Sequence, residues 1–316
     1  MRSSTRRDLS LTQLTYFVAA AETGSMTAAA DEHFVAQSAI STSIANLEQA
    51  LGVQLLIRRR AKGLQLTAAG SDLLMRARSI LAAVDDAVGA VRPESVSGRV
   101  NVGFFRTLVP FYLPTIIRGL GLDHPEMHVE VSELTADQVG EALSRNAIEL
   151  ALCYDLGLGP DVHQEVLSTV PLYAAVSQSH PLASQESVSL QELAEEPMVL
   201  LDLPISRDYF LQAFTDYGLR PWVRYQFANF EAVRAMVANG HGFTLLNQQP
   251  KAGYTYSGTR LHHLRIVEKT RPLAIVLAWP MATEALTRKG ELFAERCRKA
   301  VAAAMSVGEE PQGVSP

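Results

Sequence analysis

Between positions 37 and 49 stands a run of short, uncharged, hydrogen-bonding side chains: Gln37, Ser38, Ser41, Thr42, Asn46 and Gln49. They share one side of a helix whose other side carries Ile40, Ile44, Leu47 and Leu51 at intervals of four, three and four. Amides and hydroxyls on so slender a surface suit a major groove, where they meet base edges without bulk that would hold the backbone away. Between Leu51 and Leu66 follow Arg58, Arg59, Arg60 and Lys62 with no acid, an excess that a phosphate backbone favours. A solvated helix face beside a solvated charge run is the alternative.

A second set of candidates lies in loops that follow strands in the later part of the chain: Phe105, Arg106 and Thr107; Thr135; Tyr154; Ile205 and Ser206; Asn229 and Phe230; Asn247 and its neighbour Gln248. Hydroxyls, amides, one guanidinium and aromatics make a site for a small polar organic molecule. Arg106 and Thr107, between a strand and a helix start, would favour an anion, most simply a carboxylate, and Ser206 could add amides from a second helix. The competing reading is that Thr107, Thr135 and Ser206 merely cap helices, that Asn247 closes a turn, and that Arg106 pairs with Glu133 at the surface.

The elements that must position the first set are short helices. Leu14, Phe17, Val18 and Ala21 mark one, stopped by Gly24; Ser25 can cap a second over Met26 to Glu32; after a break at His33 to Val35 comes the polar-faced third, ended by Gly52. This is a helix-turn-helix arrangement with the basic stretch where a wing would lie, although a plain three-helix packing unit gives the same pattern. From Thr67, the spacing of Leu73, Leu74, Ala77, Ile80, Leu81, Val84, Val88 and Val91 predicts a long helix with an apolar seam that needs a partner, within its own domain or from another subunit. Pro93 to Gly98 reads as a hinge. Beyond it strands and helices alternate, implying mainly parallel sheets with helices on both faces and ligands beyond the strands' carboxyl ends.

The 316 residues exceed one usual domain. No apolar run approaches the roughly 20 residues of a spanning helix, which excludes an integral membrane protein, and no export segment follows Arg2, Arg6 and Arg7. Cys153 and Cys297 give neither metal spacing nor a disulfide framework, which suits the cytoplasm. Residues 1–91 hold nine basic and eight acidic side chains, so the remainder, with 19 and 25, carries -6 of a net charge of -5. No nucleophile stands beside a base, no cofactor-binding glycine motif is present, and His262 and His263, adjacent in a strand, face opposite sides; no enzyme, cofactor or metal is expected.

Read in order, Gly24-Ser25-Met26-Thr27, Ala29-Ala30, Gln37, Ala39-Ile40-Ser41, Ile44, Leu47-Glu48, Leu51-Gly52, Leu55, Arg58, Leu66-Thr67 and Gly70 resemble the winged helix-turn-helix of the LysR-type transcriptional regulators. Departures are His33 for Leu, Ala36 for a capping Ser (a loss of about 1 kcal/mol), Ser38 for Pro and Leu56 for Phe. The later chain resembles the family's effector-binding region, similar to a type 2 periplasmic binding protein, through Gly103, Thr107, Leu113-Pro114, His124-Pro125, Asn146 to Leu152, His180-Pro181-Leu182 and Val237-Ala238-Asn239-Gly240 with Gly242.

The resemblance implies a winged helix-turn-helix over 1–66, a linker and dimerisation helix over 67–92, and a two-lobed α/β effector-binding domain over 93–304. Lobe one would take about 98–160 and 270–304, lobe two about 161–269, and 305–316 would be a disordered tail. It further implies double-stranded DNA as partner, met by Ser25, Thr27, Gln37, Ser38, Ser41, Thr42, Arg58 and Arg59. The other implied partners are a small-molecule effector in the interlobe cleft and further copies of the chain, as a homodimer and then a homotetramer.

Overall fold

The computed structural model describes residues 9–59, 63–91, 96–250, 253–283 and 285–306. The chain divides into two compact units, a head up to Val96 that also takes Arg145–Ala147, and a larger carboxy-terminal region from Ser97 onward. In the head, the three-and-four spacing of apolar residues makes α1 (Leu11–Thr23), α2 (Met26–Glu32) and α3 (Gln37–Leu51) amphipathic. Ser10 and Gln13 cap α1 reciprocally, at 3.1 and 2.9 Å, and Gly24 and Gly52 end α1 and α3 in the left-handed conformation. Phe17, Ala20, Ala29, Ile40, Ile44 and Leu47 close the core between them. Each large side chain so buried contributes about 1.5–3 kcal/mol.

The hairpin β1 (Leu56–Arg59) and β2 (Gly63–Leu66) is held from two directions. Glu48 of α3 accepts the Leu55 and Leu56 amides at 2.7 and 3.1 Å. Gly63, at φ 70°, lies so close to the α1–α2 turn that a Cβ would come within 2.8 Å of the Gly24 carbonyl oxygen. Thr67 then starts α4 (Ala68–Val91), its hydroxyl accepting the Gly70 amide at 2.9 Å and donating to the Gln54 carbonyl at 2.7 Å. The apolar seam of α4 is divided. Leu74 and Ala77 are buried, Leu74 in the head's own core, whereas Ile80 and Val88 are 45% and 51% exposed.

The carboxy-terminal region has two sheets. The first takes β3 (Gly98–Phe105), β4 (Met127–Leu134), β5 (Leu150–Tyr154), β6 (Val162–Val170) and β13 (Leu273–Pro280) in the order β4-β3-β5-β13-β6. The helices α5 (Val109–Asp123), α6 (Ala136–Ser144) and α10 (Arg288–Ser306) accompany it. The second combines β7 (Tyr173–Ser177), β8 (Ser187–Val188), β9 (Pro197–Leu201), β10 (Trp222–Phe227), β11 (Thr244–Leu246) and β12 (Leu261–Ile266) with α7 (Leu190–Ala194), α8 (Ser206–Thr215) and α9 (Phe230–Ala238). Its halves β10-β9 and β11-β7-β12-β8 join where Phe243 accepts the Val199 amide and donates to the Pro197 carbonyl, at 2.8 and 3.0 Å. Gly242 permits that approach, since any Cβ there would overlap the Pro197 oxygen.

Three expectations are corrected. The sheets are mixed, not mainly parallel: β13 runs antiparallel to both β5 and β6, and β7 antiparallel to both β11 and β12. Residues 162–170 belong to the first sheet and not to lobe two, because β6 pairs along its whole length with β13; the chain crosses at Pro171–Leu172 instead of near Gly157 to His163. The sequence discloses no strand here because His163, Gln164, Glu165, Ser168 and Thr169 interrupt any continuous apolar run, as an edge strand with one solvated face does. Met305 and Ser306 complete α10, so the expected tail reduces to residues 307–316, which lie outside the described residues.

Candidate functional site

In the head, Gln37, Ser38 and Thr42 stand exposed on α3 and Ser41 is half-buried, opposite the face that supplies Ile40, Ile44 and Leu47 to the core. Ala36 occupies the N-cap with no side-chain bond, as its methyl dictates. Ser25 caps α2, accepting the Ala28 amide at 3.3 Å, and Thr27 is exposed in the first turn. Ser25, Thr27 and Gln37 meet along a groove of about 370 Å³ floored by Gly63 and Leu64 of β2. A helix face and a hairpin thus flank one concavity able to receive a nucleic-acid strand. Arg58 and Arg59 end β1, paired in register with Leu64 and Gly63; Arg60 and Lys62 fall outside the described residues.

In the carboxy-terminal region, the loops after β3, β5, β9, β10 and β11 converge on a cavity of about 20 Å³, room for about one water molecule. Of the residues singled out from sequence, Phe105, Thr107, Tyr154, Ser206, Phe230 and Asn247 line it. Phe105 meets Tyr154 edge to face with centroids 5.0 Å apart. Burial raises the phenols of Tyr154 and Tyr209, so both remain neutral hydrogen-bonding groups. Two polar atoms at this cavity are buried with no protein partner in full hydrogen-bond geometry: the Ser206 hydroxyl and the Gln248 amide nitrogen, the latter facing the Tyr154 phenol closely enough to work against the burial that raises it. No Asp, Glu, Lys, Arg or His is among the described residues lining it.

The other four singled-out residues do different work. Arg106 is exposed and outside the lining, and among the described residues no ion pair joins it to Glu133. Thr135 is buried, but its hydroxyl is engaged by Asp137 and Gln138 at 2.5 and 2.9 Å at the start of α6. Asn229 caps α9 through the Ala232 amide at 2.9 Å. Ile205, at φ 65° and ψ -43°, is the middle of a γ-turn in which the Ser206 amide donates to the Pro204 carbonyl at 2.7 Å. This is a strained conformation for a β-branched residue, costing about 1–3 kcal/mol. The Arg207 amide likewise donates to Leu203, at 2.9 Å, so the first amides of α8 are already used and Ser206 offers its hydroxyl instead. Ile205 and Asp155 face a separate, more open pocket of about 270 Å³ beside α8, with Asp208, Gln212, Asp216 and Arg271.

Sequence reasoning missed Tyr209 and Phe210, although both lie one turn along α8 from Ser206 and so on its side of the helix. It passed over Gln248 as a loop neighbour and missed Leu201, Leu203, Leu246 and Leu273, which read as ordinary core. Tyr209 and Asn247 also tie the lobes together. The Tyr209 hydroxyl donates to the Arg271 carbonyl at 2.9 Å, and the Asn247 amide donates to that hydroxyl at 3.0 Å and to the Pro171 carbonyl at 3.2 Å. Both crossing segments are thereby anchored to residues of the cavity.

Two family descriptions match the chain: "Bacterial regulatory helix-turn-helix protein, lysR family" over residues 11–71 and "LysR substrate binding domain" over residues 93–302. The transcriptional dual regulator GltC of Bacillus subtilis is 32% identical over 256 residues, covering 78% of this chain and 83% of that protein. The crystal structure of HinK, a LysR family transcriptional regulator from Pseudomonas aeruginosa, superposes with a TM-score of 0.61 at 31% identity, covering 93% of this chain and 99% of that one. Full-length CbnR complexed with its target DNA superposes with a TM-score of 0.53 at 25% identity, over 93% of this chain and 100% of that one. The chain belongs to the LysR family of transcriptional regulators.

Proposed function

We propose that this regulator reads operator DNA with α3 and the β1–β2 wing. Its carboxy-terminal cavity then takes a small organic effector whose acceptor-rich, anionic end sits at Thr107, Ser206 and Gln248. The observation that carries the effector reading is the pair of polar atoms without a full protein partner, Ser206 Oγ and Gln248 Nε2, buried at one cavity between the lobes. Each such group costs about 1–3 kcal/mol while unpaired, and a ligand acceptor placed between them recovers that cost. With no carboxylate in the lining, no like charge opposes an anion there, and the aromatic and leucine walls suit a compact apolar body. The cavity is too small for such a molecule as it stands, so binding requires the lobes to part and re-close on it, biasing the heads.

For the DNA half, CbnR complexed with its target DNA supports DNA as the partner, and the groove supports Ser25, Thr27 and Gln37 as the residues that touch base edges and phosphates while Arg58 and Arg59 follow the backbone. The exposed apolar half of α4 supports pairing of two chains through Ile80 and Val88, with a tetramer as the larger assembly. No helix among the described residues is long and apolar enough to cross a membrane; the match to a DNA-binding regulator family supports action on DNA in the cytoplasm. The test is a thermal-shift screen of small carboxylates against their neutral amides. Stabilisation by acids and not by amides supports the site; indifference to charge removes the anion from the reading.

A further inference from the structure

The turn between α2 and α3 contains one residue that its surroundings do not explain. Phe34 is 96% exposed, more than any other large hydrophobic side chain described, and its φ of 54° lies in the left-handed region. The turn is a Schellman closure: the Phe34 amide donates to the Asp31 carbonyl at 3.3 Å and the Val35 amide to the Ala30 carbonyl at 3.0 Å. The position that must turn left-handed usually holds Gly or Asn. A Phe there suffers both the crowding of its Cβ and the exposure of an aromatic ring to water. Its neighbours are anchored, His33 edge-on to Tyr16 at 5.6 Å and Val35 against the head's core, so the ring is held outward.

Strain and exposure at one residue point to a contact outside the chain. The residues about it argue against a protein surface: Asp31, Glu32, Ala36, Gln37 and Ser38 are exposed and mostly polar, so Phe34 is an isolated ring and not part of an apolar patch. It also lies three residues ahead of Gln37, at the end of α3 that borders the DNA groove. Asp31 and Glu32 beside it disfavour a phosphate. What remains at the edge of a major groove for an aromatic ring is the C5-methyl of thymine, which apolar side chains read directly. We propose that Phe34 is a specificity-determining residue that packs on a thymine methyl flanking the bases read by α3. The proposal rests on α3 being the DNA-reading helix.

The test uses a duplex selected by the wild-type chain from a randomised pool, and the same duplex with every thymine replaced by deoxyuridine. Burial of one methyl is worth about fourfold in affinity, so the wild type should bind the deoxyuridine duplex about fourfold more weakly per methyl contacted. Phe34→Gly should bind the thymine duplex weakly, show little further loss on deoxyuridine, and bind random DNA as the wild type does. It should also melt at a higher temperature, because Gly relieves the left-handed strain. Wild-type affinity for the selected duplex in Phe34→Gly, an equal deoxyuridine loss in both proteins, or a lower melting temperature would each overturn the proposal. A wild-type chain that selects no sequence, or binding unchanged in Gln37→Ala, would instead overturn the assignment of α3 itself.

Discussion

In the head, Gln37, Ser38 and Thr42 stand in solvent on a helix whose other face is core; in the carboxy-terminal region, Ser206 and Gln248 are buried and lack full protein partners. The first arrangement costs the fold almost nothing, since water satisfies those side chains until DNA replaces it. The second leaves two donors without a full protein partner in a nearly closed cavity, a cost of about 1–3 kcal/mol each that a ligand acceptor can recover. On the proposed reading one surface is always ready, whereas the other is conditional on an effector. That asymmetry suits a protein whose DNA contact is constant in kind and whose response depends on a small molecule.

The largest effect should come from the element that makes one head into two. Val88→Glu places a charge where an exposed apolar seam would pair, costing about 3–5 kcal/mol of association because the charge is left desolvated and unpaired. Sedimentation should show monomers whose head still melts normally; an intact dimer would remove α4 from the interface. Gln37→Ala should next cost about 1–3 kcal/mol on selected DNA and little on random DNA, with no change in melting temperature. Equal losses on both would assign Gln37 to the backbone.

Gln248→Leu tests the buried side of the comparison. Removing an unpaired amide should leave stability unchanged or raise it by up to about 1 kcal/mol while weakening effector binding at least tenfold, roughly 1.4 kcal/mol. Lower stability together with normal effector binding would make Gln248 a structural residue. A comparable, pH-dependent effect belongs to His263, whose pKa burial lowers to about 4, with Arg234 and His262 adding to it. The unfolded chain binds this proton near the ordinary value of 6.5, so His263 should cost stability progressively as pH falls from about 6.5 towards 4. Partial exposure limits this to about 1–2 kcal/mol, read as the difference in urea midpoints at pH 7 and pH 4.5 between wild type and His263→Gln. Smallest of all, Arg106→Ala should change neither effector response nor melting temperature by more than a few tenths of a kcal/mol. A lost response would return the guanidinium to the site.

The same contrast explains what the amino-acid sequence discloses. The proposed DNA-reading face lies on one helix, so its residues recur at helical spacing and Gln37, Ser41 and Thr42 are legible together with the apolar positions that orient them. Even the missing cap at Ala36 is legible, because capping depends on one side chain and its nearest amides. The cavity is assembled from five loops separated by up to 140 residues, and position after a strand finds its members without telling which side chain turns inward. Arg106 and Thr107 are neighbours, yet one is exposed and the other buried. Thr135 and Asn229 serve their own helices, while Ser206 does not, because the γ-turn at Ile205 already occupies the amides a cap would serve. β6 escaped notice for a different reason: an edge strand is specified by its partner β13, more than a hundred residues later, and not by its own composition.

The central claim is that one cavity, through Ser206 and Gln248, couples a small anion to DNA recognition. Its most direct measurement is the affinity of the selected duplex, with and without a carboxylate that stabilises the protein, for wild type and Ser206→Ala. The account predicts equal affinities in the absence of the carboxylate and a severalfold shift on its addition in the wild type alone. A shift of the same size in Ser206→Ala at the same carboxylate concentration would contradict it.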